Sequence, residues 1–151
     1  MNTETIKRLF DACFQAKKIT EMMPELPEKM KPRHIHVIDA IYVNILEKGT
    51  TRVSDVSKKM KITTPSVTKL INELEERKIV IKIPLLEDKR ITLVELTEKG
   101  INYYLKYVKE YHEHLSVLAK DMNEEECKTT IKAIEKFYKI ISKDDDRNGS
   151  K

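Results

Sequence analysis

The chain has no tryptophan, only three glycines and only two cysteines in 151 residues. Each scarcity excludes something. With so little glycine there is no loop of the kind that wraps backbone amides around a phosphate, so nucleotide-binding folds built on such loops are ruled out. Glycine also costs about 1 kcal/mol in a helix interior relative to alanine, so its shortage favours helix. Cys13 and Cys127 stand far apart and in no metal-ligand spacing. They are expected as buried, reduced thiols rather than as a disulfide or a zinc site. No apolar run approaches the roughly 20 residues that a membrane span needs. The opening "MNTETIKRLFDACF" lacks the basic, apolar, small-residue progression of an export leader, so a cytoplasmic protein is expected.

What is present is charge, and its placement matters more than its sum. Lysine and arginine exceed aspartate and glutamate by 29 to 25 overall. Between Arg52 and Asn72, however, five bases (Arg52, Lys58, Lys59, Lys61, Lys69) meet a single acid, Asp55. That stretch is suited to a polyanion.

Apolar periodicity divides the chain into helices and one hairpin. Ile6, Leu9, Phe10, Cys13 and Phe14 define a first amphipathic helix, ended by Pro24 and Pro27. A second helix starts at Pro32 and carries Val37, Ile38, Ile41, Ile45 and Leu46 inward as far as Gly49. Two short helices follow, with Ser54 expected to cap the first and Thr64 the second, whose first position is Pro65. In the second of these, Val67, Leu70, Ile71 and Leu74 face inward, leaving Pro65, Ser66, Thr68, Lys69 and Asn72 outward. "IVIKIPLL" and "ITLVEL" read as two strands joined by the charged tip "EDKR". Beyond Thr97 and Gly100 a helix of about six turns is expected. A last helix is expected from Asn123, with Glu126 completing a capping box.

Helix, helix, helix, hairpin is the order of a winged helix-turn-helix, whose second paired helix enters a major groove while the hairpin reaches along the backbone. The fold class expected is therefore mainly α with a small β-hairpin wing. Small polar residues at the start of that helix allow close approach to base edges, and a helix N-terminus can receive a phosphate. Expected DNA contacts are Ser54, Thr64, Pro65, Ser66, Thr68, Lys69 and Asn72, with Lys89 and Arg90 on the wing. Arg90 is long, permanently charged and able to enter a narrow minor groove. Asp88 is repelled by DNA and is expected to orient Arg90.

"DKRITLVELTEKG" resembles the wing signature of the MarR family of bacterial transcription regulators: Asp, any residue, Arg, five residues, Leu-Thr, two residues, Gly. Asp88, Arg90, Leu96, Thr97 and Gly100 meet it. "ITTPSVTKLINELEERKIVIK" is similar to that family's recognition helix and first wing strand. Lys78 stands where the family commonly has glycine, and Lys89 where arginine is common. The resemblance implies one MarR-like domain over 1–151. Within it, 32–100 is the DNA-binding lobe, 1–30 and 101–143 are dimerisation helices, and 144–151 is an unstructured tail. It further implies a homodimer, most simply a repressor, on an inverted repeat with half-sites roughly 10 bp apart, modulated by a small-molecule effector. No cofactor, membrane or catalytic step is implied.

Two rival readings stand beside this one. Some proteins that this chain resembles sense peroxide through a first-helix cysteine, here Cys13, although "KPRHIHVIDAIY" lacks the paired tyrosines of that subgroup. A winged helix can also serve as a protein-interaction module. Metal sensing is not expected. His34 and His36, like His112 and His114, are two residues apart and so about 200° around a helix, unable to share an ion from one face. The carboxylates of "NEEEC" at a helix start serve the helix dipole rather than catalysis.

Overall fold

The computed structural model describes residues 1–149. Its elements are α1 (Thr3–Glu21), α2 (Pro32–Lys48), α3 (Val53–Met60), α4 (Thr64–Glu76), β1 (Val80–Pro84), β2 (Thr92–Leu96), α5 (Glu98–Tyr104), a π-helical turn (Leu105–Lys109), α6 (Glu110–Leu118) and α7 (Glu124–Asn148). They fall into two compact units, Met1–His112 and Glu113 onward.

In the first unit α2 is the central element. Pro32 occupies its first turn, where the missing N–H has no intrahelical role, and Gly49 ends it in the left-handed region at φ 82°. Ile38 and Ile41 of α2 are fully buried with Val56 of α3, Val67, Ile71 and Leu74 of α4, Ile79, and Val80 and Val94 of the hairpin. Burying an aliphatic side chain of this size contributes about 1.5–3 kcal/mol, so this cluster dominates the unit's stability. Leu46, expected inward, is 74 % exposed. It sits one position beyond Ile45, which packs on the core, and so points about 100° away from it.

The hairpin pairs antiparallel from Val80 opposite Leu96 to Pro84 opposite Thr92. Pro84 is the last residue of β1, where a strand tolerates a missing donor. The other edge of β2 is met by the segment entering α3. Val94 N–H donates to Thr51 O at 2.9 Å, and Arg52 bridges Leu93.

Several expectations shift. Beyond the lobe expected at 32–100, Tyr107 and Val108 are buried in the core of the first unit, and Tyr103 and Tyr104 pack against it; that unit also takes in α1. The helix after Thr97 begins at Glu98 and is interrupted by the π-helical turn, so it is not one regular six-turn rod. The tail expected from 144 is helical through Asn148, and the last two residues of that tail lie outside the described ones. α1 buries no residue, leaving Phe10, Phe14 and Ile19 more than half exposed. In the second unit, α7 is capped by Asn123, whose Oδ1 accepts from Glu125 N–H at 2.8 Å, with Glu126 returning to Asn123 N–H at 3.2 Å. It exposes Ile131, Ile134 and Ile141.

Candidate nucleic-acid interface

The turn that sets α4 against α3 is held by side chains that sequence reasoning passed over. Lys61 ends α3 in the left-handed region at φ 56°. Ser57, nearly buried, donates to Ile62 O at 2.6 Å, and Thr64 Oγ1 reaches Ser57 Oγ at 3.3 Å. A small hydroxyl at 57 therefore closes the turn by satisfying the Ile62 carbonyl in the link between α3 and α4.

Both expected caps move. Arg52, not Ser54, precedes α3, and Asp55 Oδ2 accepts from Arg52 N–H at 2.9 Å, so an acid inside the first turn substitutes for a capping hydroxyl. Ser54 is exposed within that turn. Thr63, not Thr64, caps α4. Its Oγ1 accepts from Ser66 N–H at 3.4 Å and lies 2.8 Å from Ser66 Oγ. Thr64 and Pro65 are then the first two helical residues.

Along the outer side of α4, Thr64, Pro65, Thr68, Lys69, Asn72, Glu73 and Glu76 line one open groove. Ser66 is exposed on the adjoining flank and does not line it. Thr68 donates its hydroxyl to Thr64 O at 2.9 Å, so it offers a methyl group and an acceptor outward. The cation Lys69 lies in the second turn of α4 and the amide Asn72 in the third; Glu73 and Glu76 beyond it make the groove's C-terminal end acidic. The positive end of the helix dipole lies at the opposite, N-terminal end of the groove, in the first turn of α4.

Glu73 is not free. His34, 2 % exposed on α2, accepts Lys31 N–H at Nδ1 over 2.9 Å and sits 2.6 Å from Glu73 Oε2 through Nε2. Since Nδ1 is an acceptor, the ring proton is on Nε2 and is donated to the carboxylate. This pair fastens α4 to the start of α2. On the hairpin side, Lys82 Nζ bonds Asn72 Oδ1 at 2.7 Å and Glu75 Oε1 at 3.3 Å.

At the wing tip, Arg90 Nε and Nη2 donate to the two oxygens of Asp88, each at 3.0 Å, and Arg90 N–H donates to Asp88 Oδ1 at 3.0 Å. These bonds hold the Asp88 carboxyl below the ordinary carboxylate range and push Arg90 up. The Arg90 side chain is 90 % exposed, and Lys89 is exposed beside it. The fork is thus directed at its base and open at its outer side.

Between α2 and α5, Tyr42 stacks on Tyr104 with ring centroids 3.6 Å apart, and burial raises the Tyr104 hydroxyl's pKa above the ordinary phenol value. Tyr107 is buried in the core. Tyr42, Ile45, Leu46, Glu95, Leu96 and Ile101 line a mostly apolar cleft of about 370 Å³. Cys13 is a free, half-buried thiol on α1, and Cys127 is likewise free. Among the described residues, no group of three or more His, Cys, Asp or Glu is placed to hold a metal ion, and no helix is long and apolar enough to cross a membrane.

The family model for MarR matches residues 40–92. The HTH-type transcriptional regulator MhqR of Bacillus subtilis is 25 % identical over 96 residues, 61 % of this chain and 63 % of MhqR, so the likeness spans less than two thirds of that relative. Among solved structures, the Staphylococcus aureus MepR–DNA complex superposes with a TM-score of 0.65 at 18 % identity, covering 93 % of this chain and 99 % of that one. Streptococcus pneumoniae FabT in complex with DNA does so at 0.64 and 23 %, covering 94 % and 99 %. At such identities these two show a shared fold. The matched segment runs from within α2 into the wing that carries Asp88 and Arg90, so over this third of the chain the sequence is similar to the MarR family, and the solved structures share its fold.

Proposed function

We propose that this protein is a transcription regulator, acting as a repressor, that binds an inverted-repeat duplex as a homodimer and responds to an effector. The observation that carries the reading is the pairing of two surfaces: the outer groove of α4 with Lys69 and Asn72, and the exposed, clamped Arg90 on the adjoining hairpin. Thr64, Pro65, Ser66, Thr68, Lys69 and Asn72 face the major groove in this reading. Ser54 contacts the phosphate backbone, Lys89 a phosphate, and Arg90 the minor groove under the orientation of Asp88. The reading includes no catalytic step. MhqR is a transcription regulator, and MepR and FabT were solved on DNA, which supports it by likeness.

The exposed apolar residues of α1 and α7 serve the homodimer. The effector occupies the cleft of Tyr42, Ile45, Leu46, Glu95, Leu96 and Ile101, which touches α2, β2 and α5 at once and so can bias the reading head. Fluorescence anisotropy on duplex from upstream of the chain's own gene, against scrambled duplex at several salt concentrations, tests the whole. Sequence-dependent binding with a steep salt slope is the expected result. Arg90→Ala should weaken it about tenfold, the loss of one charge-assisted contact, without unfolding the protein. Salt-insensitive binding, or an Arg90→Ala chain of unchanged affinity, would count against the reading and against the wing respectively.

A further inference from the structure

Lys82 is the third residue of β1, ten positions from Asn72 in sequence, yet its ammonium lies 2.7 Å from Asn72 Oδ1. Glu75 keeps it there. The Lys82 ammonium is 3.3 Å from Glu75 Oε1, and the Lys82 N–H donates to Glu75 Oε2 at 3.3 Å. Asn72 and Glu75 stand three residues apart on α4, on neighbouring positions of one face, so a single strand residue reaches both. A lysine on its own is a flexible stem with a point charge; here two contacts from Glu75 fix where the charge sits.

The chemistry of the pair decides which way the Asn72 amide faces. An ammonium has three donors and no acceptor, so the amide atom against it is the carbonyl oxygen. The NH₂ end is left for the groove that Asn72 lines. An asparagine reads adenine by using both ends at once, accepting from N6 and donating to N7. With its oxygen turned to Lys82 and one lone pair taken there, Asn72 presents its NH₂ end to the groove, which matches the O6 and N7 acceptors of guanine and meets the N6 amino group of adenine donor to donor.

We propose that Lys82 is a positioning residue that sets the base preference of Asn72, so that the recognition helix selects guanine over adenine at the position Asn72 faces. The inference rests on the duplex-DNA reading given above. It also assigns a role to Glu75, which acts on the base through Lys82 and Asn72 without touching it.

The test is selection of random duplexes by the purified full chain, followed by anisotropy with every base pair at each half-site position. Wild type, Asn72→Ala, Lys82→Met and Lys82→Arg are compared. The position at which Asn72→Ala loses discrimination is the one Asn72 faces. There the wild type should bind guanine about tenfold more tightly than adenine, the discrimination of one good base contact. Lys82→Met should cut that ratio to about threefold or less, whereas Lys82→Arg, still a donor, should keep it. Should Lys82→Met fail to fold in a thermal melt, Glu75→Gln, which loosens Lys82 without altering it, should also lower the ratio. Even weakening on all duplexes with an unchanged ratio would make Lys82 a phosphate contact and overturn the inference while leaving DNA binding intact. So would adenine preference in the wild type. Failure to select any sequence, with no salt slope, would overturn the DNA reading and this inference together.

Discussion

A Cβ added to Gly100 would lie 2.2 Å from the backbone carbonyl oxygen of Ile79, closer than any real contact. The carbonyl cannot swing aside, because it also accepts from Thr97 N–H at 3.0 Å. Thr97 in turn caps α5, accepting from Gly100 N–H at 3.1 Å and donating its hydroxyl to Lys78 O at 2.6 Å. Two residues of the family signature therefore join α5 to the base of the wing and have no need of a ligand. Gly100→Ala should destabilise by about 2 kcal/mol, the overpacking cost exceeding the gain in helix propensity; chemical denaturation checks it. Asp39 presents a different single-residue case. Burial raises its carboxyl pKa above the ordinary value, and the positive charges of His112, His36 and Lys59 offset that only in part. The folded chain thus holds this proton more tightly than the unfolded chain, so stability falls as pH rises from the unfolded value through the folded one. Asp39→Asn should gain stability relative to wild type between pH 4 and 7, and a melting-temperature difference that stays flat with pH would disprove the sign.

Elements meet at junctions, and the junction of α4 with β1 is strained. Ile79 N–H bonds Leu74 O at 3.0 Å and Lys78 N–H bonds Glu75 O at 2.9 Å, the double closure that usually has glycine at its left-handed position. Here that position is Lys78, at φ 60°. Lys78→Gly should raise stability by about 0.5–1 kcal/mol, roughly 1–4 °C, the relieved strain exceeding the added freedom of the unfolded chain; a calorimetric scan measures it. At this scale the sequence was legible where one physical signal stood alone. Val67, Leu70, Ile71 and Leu74 are all buried, as their spacing requires. It was less legible where two residues were chemically equivalent. Thr63 and Thr64 can each cap a helix with proline near its start, and only the backbone decided for Thr63. Arg52 ahead of α3 carries no capping signal at all, and the π-helical turn leaves the apolar period almost unchanged.

For the whole molecule, Phe10, Phe14 and Ile19 on α1 and Ile131, Ile134 and Ile141 on α7 are exposed apolar side chains that the homodimer proposed above would cover. Phe14→Glu and Ile134→Glu should each weaken self-association at least tenfold by burying a charge in the interface. Sedimentation equilibrium would show the shift to monomer mass, and an unchanged mass would remove these faces from the dimer. From sequence alone came the helix and strand identities, the wing with Asp88 and Arg90, and the outward set on α4, because periodicity and motif spacing are local properties of the chain. The tertiary structure alone decided that Tyr107 and Val108 join the core around α2, that His34 pairs with Glu73, and that Lys82 holds Asn72. The two hydrogen-bonded pairs lie 39 and 10 positions apart, and only the packing of α4 on α2 and against β1 brings them together.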